Sequence, residues 1–328
     1  MQSFDIVIAW VNGNDVELKR KRQKYLSVKD ASDAVKETRF ADSDEIYFNI
    51  ASILKYVPFC RTIFIVTDQQ EPSFLSEFSA QGLCAADKIR IVDHREIFSG
   101  YEEYLPTFNS LSIESMLWNI KGLSDLFVYL NDDFFFNSQA QIEDFFKEKN
   151  LVTHGHWQRC FPVFAKWKFR QYINGILSRP NQPKHTVSQM LGAKILGLNK
   201  FFNIHHHPHS LDRRIFAEYF QKHENILKAQ IKYKFRSIDQ FNPVSLVTHL
   251  KIKAGEAVLE NDIDLAYLKN NKGVSNFLQA IKQNNIKYGC IQSMDELSLE
   301  NSKKIKKALH EKFHAYLPLS VLGQIYEN

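Results

Sequence analysis

Residues 126–136 read Leu-Phe-Val-Tyr-Leu-Asn-Asp-Asp-Phe-Phe-Phe, an apolar run interrupted by one amide and two carboxylates. The adjacent acids Asp132 and Asp133 carry a free-energy cost among apolar residues, because a charge removed from water needs an ionic partner, hydration or a bound cation. Two earlier apolar runs, at residues 4–11 and 62–66, also stop abruptly at polar side chains. In open α/β sheets, ligands bind beyond the carboxyl ends of the strands. The three strand ends are therefore predicted to face one site, with the two aspartates at its acidic centre.

Strand and helix patterns alternate up to about residue 146, which predicts a Rossmann-like, mostly parallel sheet. Strands are predicted at 4–11, 62–66, 88–92 and 126–130, and helices at 16–25, 44–57, 73–78 and 110–120. The pattern then changes to an aromatic, basic stretch followed by helical sequence. We predict a core domain at residues 1–150 and a second, largely helical part at residues 151–328 that completes the active site. The alternative is a single domain that includes both.

The composition favours a large globular protein in a reducing compartment. The chain has 328 residues, 44% of them hydrophobic, a net charge of only +5 and four well separated cysteines with no CxxC pair. This argues against a disulfide scaffold and against a cysteine-rich zinc site. The basic residues form no continuous stripe, so we expect no nucleic-acid partner.

We expect a cytoplasmic protein, because the sequence contains neither a signal peptide nor an apolar run long enough to span a bilayer. Any membrane contact would be peripheral, at the inner face of the plasma membrane. A basic segment at residues 302–312 has Ile305, Leu309 and Phe313 at four-residue spacing around its lysines. It is an amphipathic helix that either packs on its own domain, which we favour, or lies on an anionic membrane.

Three groups of residues supply candidate chemistry. Asp132 and Asp133 are suited to a divalent metal such as Mg²⁺, which takes oxygen ligands and substrate phosphates; the alternative is an acidic turn. The His205–His209 cluster offers a neutral histidine as general base, or else a polar helix cap. Arg236 and Arg39 match phosphate oxygens, although either arginine is equally able to pair with a structural carboxylate.

Acids, a histidine and arginines together indicate phosphoryl-type transfer. The sequence contains no GxxxxGK[ST], GxGxxG or GxSxG motif. The familiar kinase, dehydrogenase and hydrolase classes therefore lose support. A nucleotide-sugar donor remains, because its diphosphate calls for a metal and needs no such loop.

Several blocks of this sequence resemble the Stealth family of sugar-1-phosphate transferases, which includes bacterial capsule and exopolysaccharide phosphotransferases. The matching blocks begin at Asp5-IVIAWVNGND, Arg39-FADSDEIYFNIASILKYVPF, Leu105-PTFNSLSIES, Gly122-LSDLFVYLNDDFFF, His206-HPHSLDR, Phe235-RS and, more weakly, Lys287-YGCIQSMDEL. The resemblance implies an A-type glycosyltransferase-like fold. It also implies transfer of a hexose-1-phosphate from a UDP-sugar to a sugar hydroxyl of a growing surface polysaccharide, with release of UMP.

The resemblance also implies roles for individual residues. The catalytic residues would be Asp133, His206, Arg236 and Glu114. The residues that bind the nucleotide sugar would be Asn12, Gly13, Asp15, Arg39 and Asn131. Asp132 and Asp133 would hold the metal, Mg²⁺ or Mn²⁺. The expected partners are the UDP-sugar, an oligosaccharide or polysaccharide acceptor, and a peripheral membrane or capsule-assembly contact.

One departure from the family pattern concerns the last block, which begins at Lys287. The family commonly has an Asn-Asp pair where this chain has Gln292-Ser293, and Asp295 is a candidate substitute. Two other function classes stay open. One is an ordinary glycosyltransferase that releases UDP. The other is a non-catalytic polysaccharide-binding protein that uses the aromatic stretch 157–172 as a stacking platform.

Overall fold

The computed structural model describes residues 3–26, 44–292 and 294–323. Its strands are β1 (Phe4–Ala9), β2 (Cys60–Thr67), β3 (Ile89–Asp93), β4 (Leu126–Asn131), β5 (Phe134–Phe136), β6 (Phe146–Lys147), β7 (Asn150–Arg159), β8 (Lys200–Ile204), β9 (His209–Asp212), β10 (Ala257–Glu260), β11 (Leu265–Leu268) and β12 (Tyr288–Ile291). Its helices are α1 (Val16–Gln23), α2 (Glu45–Tyr56), α3 (Glu77–Ala80), α4 (His94–Ile97), α5 (Ser110–Glu114), α6 (Cys160–Ile176), α7 (His185–Ile195), α8 (Arg213–Lys222), α9 (Glu224–Ile231), α10 (Pro243–Ala254), α11 (Val274–Ala280), α12 (Leu299–Phe313) and α13 (Leu319–Gly323).

The central sheet has the strand order β3-β2-β1-β4-β9. Its first four strands are parallel, and the edge strand β9 runs antiparallel to β4. Strands β1, β2 and β4 are rich in apolar residues with little alternation, as expected for strands buried on both faces. The predicted α/β class with a mostly parallel sheet is confirmed.

Strand β9 brings the histidine cluster from the second half of the chain to the central sheet. Tyr129 in β4 pairs with His209 in β9. At the other end of β9, Asp212 caps α8 and forms a buried ion pair with Lys251 of α10, at 3.1 Å between Nζ and Oδ2. Asp212, which follows the histidine cluster, therefore has a structural role as the N-cap of α8.

The three phenylalanines after the aspartates form β5, which pairs antiparallel with β12. Gly289 makes this pairing close, since a Cβ atom there would lie 2.0 Å from Cζ of Phe135. Cys290, the next residue, consequently reaches Asp133, with 3.5 Å between Sγ and Oδ2. Strand β5 was not predicted, because a continuous apolar triplet has no strand period.

The basic helix near the C-terminal end, α12, packs against α2. Its residues Ile305, Leu309 and Phe313 are fully buried in the main hydrophobic core. The prediction that this helix packs on its own domain is confirmed. In the described part of the chain, no helix combines the length and the hydropathy that crossing a bilayer requires.

Most predicted elements of the first half lie within a few residues of the observed bounds. The helix predicted at 110–120 is shorter, because α5 ends at Glu114 and a 3₁₀ turn follows at Leu117–Asn119. The Ser115 hydroxyl donates to the Leu111 carbonyl, and the Trp118 indole N–H donates to the Ser115 carbonyl. Such side-chain bonds compete with the helical pattern.

The second half contains many helices and also six of the strands. One hydrophobic core includes buried residues from both halves, from Phe4 in β1 to Phe313 in α12. The domain boundary near residue 150 stays a prediction. The four cysteines are free thiols.

Candidate functional site

The carboxyl ends of β1, β2 and β4 lie side by side, as the parallel register requires. Ala9, the last residue of β1, pairs with Val66 on one side and with Asn131 on the other. The loop after β1 is held by Gln70, whose side chain both accepts from the Asn12 N–H and donates to the Asn12 carbonyl, at 3.0 Å each. Asp15 then caps α1, accepting from the Leu18 N–H at 2.7 Å.

A cleft opens beside this edge of the sheet and collects residues from distant parts of the chain. Four of the predicted site residues line it, namely Glu114, Asn131, His206 and Arg236. Tyr129 joins two of them, since its hydroxyl oxygen lies 2.9 Å from Oδ1 of Asn131 and 3.3 Å from Oε1 of Glu114. The phenol has only one proton, so a protonated Glu114 best completes both contacts.

Glu114 is buried, and burial raises its pKa to about 7 in spite of the opposing charge of Arg236. Its second oxygen, Oε2, has no hydrogen-bond partner among the described residues. A carboxyl group with a pKa near neutrality exchanges a proton easily at physiological pH, which is a common property of active-site acids. A carboxyl group in this state is able to exchange a proton with, or donate a hydrogen bond to, a polar group in the cleft.

Replacing Glu114 with glutamine is expected to remove a pH-dependent loss of stability. The folded protein holds the Glu114 proton up to a pH of about 7, whereas the ordinary value is 4.5. The folded state is thus destabilised as pH rises through this window. Between pH 4 and pH 8, the free energy of unfolding of the wild type should fall by about 3 kcal/mol relative to that of Glu114→Gln. Denaturant unfolding at several pH values measures this difference. The exposed Glu103→Gln should track the wild type, and parallel curves for Glu114→Gln and wild type would contradict the assignment.

Asp133 lies at the strand end next to Cys290, and burial raises the pKa of its carboxyl to about 6. Its oxygen Oδ1 is buried and has no hydrogen-bond partner among the described residues. The neighbouring Asp132 raises the pKa of Tyr129 by its charge, so it too lies near the cleft. Neither aspartate lines the cleft directly. A buried carboxylate oxygen without a donor is the kind of atom that a cation satisfies.

His206 stands among aromatic rings in the cleft. It stacks on His185 at 5.1 Å between ring centroids and on Tyr267 at 6.2 Å, and Phe134 meets it edge-on. Burial, helped by the nearby charges of His205 and Arg236, lowers the pKa of His206. The imidazole is therefore neutral at pH 7 and able to accept a proton.

The neighbouring histidines have other surroundings. His207 is buried and lies within hydrogen-bond distance of the carbonyls of Pro208 and His154. His205 turns away from the cleft to Asp262, at 3.2 Å. His209 lines the cleft from β9, and burial lowers its pKa well below the usual value. Of the three consecutive histidines, only His206 lines the cleft.

Arg236 reaches the cleft from a loop that is fixed to the start of α5. The Asn109 amide donates to the carbonyls of Tyr233 and Phe235 and to Oε1 of Gln240. The guanidinium donates to the Ser110 hydroxyl at 2.5 Å. It forms no ion pair with a carboxylate of the described residues, so part of its hydrogen-bonding fork is available to an anion.

The described residues contain one group of three side chains close enough to share a metal ion: His156, His205 and Asp262, with ligand atoms within 4.8 Å of one another. All three are partly or largely exposed. The observed contacts within this group are ordinary ion-pair distances, such as 2.8 Å between Nδ1 of His156 and Oδ2 of Asp262. This group competes with the strand-end aspartates as the place for a cation.

The remaining predicted residues lie outside the cleft or outside the described chain. Asn12, Gly13 and Asp15 form the loop between β1 and α1 and do not line the cleft. Arg39 lies outside the described residues. Gln292, at the departure from the family pattern, does line the cleft and accepts a hydrogen bond from the Tyr267 hydroxyl at 2.6 Å.

Two other positions of the block that begins at Lys287 are less informative. Asp295 is exposed and is not among the residues that line the cleft. Ser293 lies outside the described residues. Asp295 as a substitute ligand therefore gains no support from its position.

Sequence reasoning missed His185 and Tyr267, which enclose His206 from both sides. Desolvation in the cleft and the nearby charges of His206 and Arg236 lower the pKa of His185, although part of its side chain is exposed, so this ring is neutral as well. No local signal marks either residue, because each is a single polar aromatic in an ordinary helix or strand. Their proximity to His206 arises only from the packing of α7 and β11 around the cleft.

The fold and the cleft define an α/β protein with acids, histidines and an arginine gathered at the carboxyl edge of a mostly parallel sheet. Residues 39–154 match the family model described as "Stealth protein CR2, conserved region 2". The chain is 30% identical to a capsular polysaccharide phosphotransferase of Actinobacillus pleuropneumoniae, over 82% of this chain and 70% of the relative. It is 29% identical to one of Neisseria meningitidis, over 86% and 74%.

An exopolysaccharide phosphotransferase of Lactiplantibacillus plantarum is 35% identical over 56% of this chain and 51% of its own length. Among solved structures, mouse xyloside xylosyltransferase 1 shares 7% identity at a TM-score of 0.41, over 88% of this chain and 97% of that one. A likeness that weak carries no argument. The family model and the sequence relatives show that the chain belongs to the Stealth family of polysaccharide phosphotransferases.

Proposed function

We propose that this protein transfers a hexose-1-phosphate from a UDP-sugar to a hydroxyl of a growing surface polysaccharide, forming a phosphodiester and releasing UMP. The observation that carries the proposal is the cleft itself. It brings Glu114, His206 and Arg236 together from three distant segments, at the edge where Asp132 and Asp133 end their strand. Membership of a family whose relatives are named phosphotransferases supports the same reaction class.

In the proposed reaction, the acceptor hydroxyl gives its proton to His206 and its oxygen attacks the phosphorus bonded to the sugar. A new P–O bond forms, the phosphoanhydride bond breaks, and the electron pair leaves with UMP. His206 suits the base because it is neutral and faces the cleft; Asp133 is the alternative base. The guanidinium of Arg236 stabilises charge on the phosphoryl oxygens.

Asp132 and Asp133 would hold the divalent cation, Mg²⁺ or Mn²⁺. The residues fit such an ion, since Asp133 has a buried oxygen without a donor among the described residues. When bound, the ion would neutralise charge on the donor diphosphate and on the leaving group. Asn12, Gly13, Asp15, Arg39 and Asn131 would bind the rest of the nucleotide sugar.

Product analysis tests the proposal against its alternatives. The protein is incubated with a panel of UDP-sugars and an oligosaccharide acceptor, with and without chelator. We expect metal-dependent release of UMP together with a phosphodiester product. Release of UDP with a glycoside would indicate an ordinary glycosyltransferase. Saccharide binding that ignores UDP-sugars and chelator would indicate a non-catalytic protein.

Replacing His206 with glutamine is expected to lower kcat about a hundredfold, because the acceptor then loses its base. In the wild type, kcat/KM should fall at acid pH, since His206 must be unprotonated and its pKa lies below the usual 6.5. This acid limb should flatten in the variant. Rates of UMP release between pH 5 and pH 8 measure both effects.

His205→Gln and His314→Gln serve as matched controls for that experiment. His205 faces Asp262 and His314 is exposed on the far end of α12, so both variants should stay within about threefold of wild type. If His206→Gln kept wild-type turnover, the choice of His206 as base would be wrong. Loss of activity in His205→Gln would instead point to the group formed by His156, His205 and Asp262.

A further inference from the structure

The segment from Lys149 to Leu211 has an unusual charge. Its 63 residues contain nine lysines and arginines and not one aspartate or glutamate, whereas the whole chain has a net charge of only +5. The longest helix of the described chain, α6, lies in this segment. All nine cations are exposed, and such an excess of positive charge favours a polyanionic partner.

Helix α6 also exposes large apolar side chains on one side. Phe161, Phe169, Tyr172 and Ile176 are 77%, 66%, 67% and 62% exposed, respectively. Their spacing of 8, 11 and 15 residues from Phe161 puts all four on one helical face. The opposite face, with Val163, Phe164 and Trp167, packs on a small hydrophobic cluster that includes Met190 and Phe201. The outward face has no partner among the described residues.

We propose that α6 docks this protein on an anionic lipid surface. The four exposed apolar side chains would enter the interface, and Lys166 and Lys168, which flank this face on its two sides, would contact lipid phosphates. Helices that lie in the plane of a membrane have this combination of phenylalanine and leucine-like residues with flanking cations. Long basic side chains can keep their charges in the headgroup layer while their stems cover apolar surface. The basic helix α12 is not available for this purpose, because its apolar residues are buried.

Two other occupants fit less well. A second copy of the chain would bring a second acid-free, positively charged segment against the first, and like charges across an interface are unfavourable. A saccharide needs hydrogen-bonding partners beside its stacking rings. Phe161, Phe169 and Ile176 offer none. The chemistry of the face therefore favours hydrocarbon and phosphate over a second protein or a neutral glycan.

The docking surface is continuous with the candidate active site. An open groove beside α6 is lined by Lys166, Phe169, Arg170, Arg179, Gln182 and Lys184. Gln182 and Lys184 also line the cleft that contains His206. If the proposed transfer reaction holds, docking would place the mouth of the cleft close to the membrane, where an acceptor carried on a lipid is within reach.

Vesicle flotation with the full chain tests the docking and needs no substrate. We expect the protein to float with phosphatidylglycerol-containing vesicles, to float much less with pure phosphatidylcholine vesicles, and to detach as salt concentration rises. The double variant Phe169→Ser/Ile176→Ser and the double variant Lys166→Gln/Lys168→Gln should each lower partitioning at least tenfold. Both pairs are exposed, so folding should be retained; circular dichroism checks this.

Control variants away from α6 distinguish docking through α6 from nonspecific adsorption to vesicles. Leu299→Ser removes an apolar side chain that is 71% exposed at the start of α12, and Lys222→Gln/Lys232→Gln removes two exposed charges. Both should partition like wild type. Equal flotation with neutral and anionic vesicles, or α6 variants that float like wild type, would overturn the proposal. A concentration-dependent dimer that is lost in Phe169→Ser/Ile176→Ser would also overturn it, because the face would then bind a second copy. So would a Phe169→Ser/Ile176→Ser variant that still floats but no longer binds polysaccharide, because the face would then bind glycan.

Discussion

Replacing Arg236 with glutamine is expected to lower the rate of UMP release by about 10³-fold or more. Arginines that stabilise a transferring phosphoryl group contribute rate factors of roughly 10³ to 10⁵. The Arg236 guanidinium is held in the cleft by the Ser110 hydroxyl, and no described carboxylate neutralises it. Its charge is therefore available to phosphoryl oxygens, where it acts in a site partly shielded from water.

The lysine variant refines that prediction. Arg236→Lys keeps the charge but loses the planar fork, so we expect it to recover only part of the lost rate. Loss of the positive charge should also raise the pKa values of Glu114 and Asp133 further, since Arg236 opposes the effect of burial on both. The pH profile of Arg236→Gln should accordingly move to higher pH, an effect that a purely structural role would not produce.

Isothermal titration with UDP measures the binding contribution of Arg236 apart from turnover. The control is Arg95→Gln, which removes an exposed arginine of α4 that pairs with Asp93 at the end of β3. It should bind UDP and turn over like the wild type. Turnover of Arg236→Gln within about threefold of wild type would remove Arg236 from the proposed phosphate site.

The sequence was most informative at the ends of the parallel strands. Residues 126–130 predict β4, because an unbroken apolar run of five residues suits a strand buried on both faces. The parallel register then obliges Asn131 to lie beside the end of β1. That step needs only local pattern and a general rule of sheet topology.

Contacts made far along the chain could not be predicted in the same way. His185 and Tyr267 reach His206 through the packing of separate elements, and no spacing in the sequence encodes that contact. The pairing of β5 with β12 depends on Gly289, whose missing side chain leaves room for the Phe135 ring. Physical reasoning finds such a glycine only after the neighbouring strand is known.

The choice of His206 among three consecutive histidines likewise depends on contacts that the sequence pattern does not reveal. Composition indicates a histidine cluster with a polar function, and the family resemblance points to His206. The folded structure explains why His206 lines the cleft and its neighbours do not: His207 is buried against backbone carbonyls, and His205 contacts Asp262. Residue type is thus readable from sequence, whereas orientation depends on β9 and on the rings around it.

Replacing Asp133 with asparagine is expected to lower turnover by about 10³-fold and, at neutral pH, to leave the protein at least as stable as wild type. A cation that neutralises phosphoryl charge contributes several kcal/mol to the transition state, which corresponds to this factor. Yet Asp133 has a raised pKa of about 6 and a buried oxygen without a donor among the described residues. Its charge therefore costs the folded state free energy at pH 7, and a neutral amide removes that cost.

This opposite behaviour of activity and stability separates a functional from a structural role. Electron paramagnetic resonance of free Mn²⁺ measures metal binding, which should weaken in Asp133→Asn and in Asp132→Asn. Denaturant unfolding measures stability, and the exposed Asp264→Asn is the matched control for both. The variant His156→Ala/Asp262→Ala removes the competing group of metal ligands and should keep the metal-dependent activity. A different result would move the cation site. If His156→Ala/Asp262→Ala lost Mn²⁺ binding and metal-dependent activity, while Asp133→Asn kept wild-type turnover, the cation would bind at His156, His205 and Asp262 and not at the end of β4.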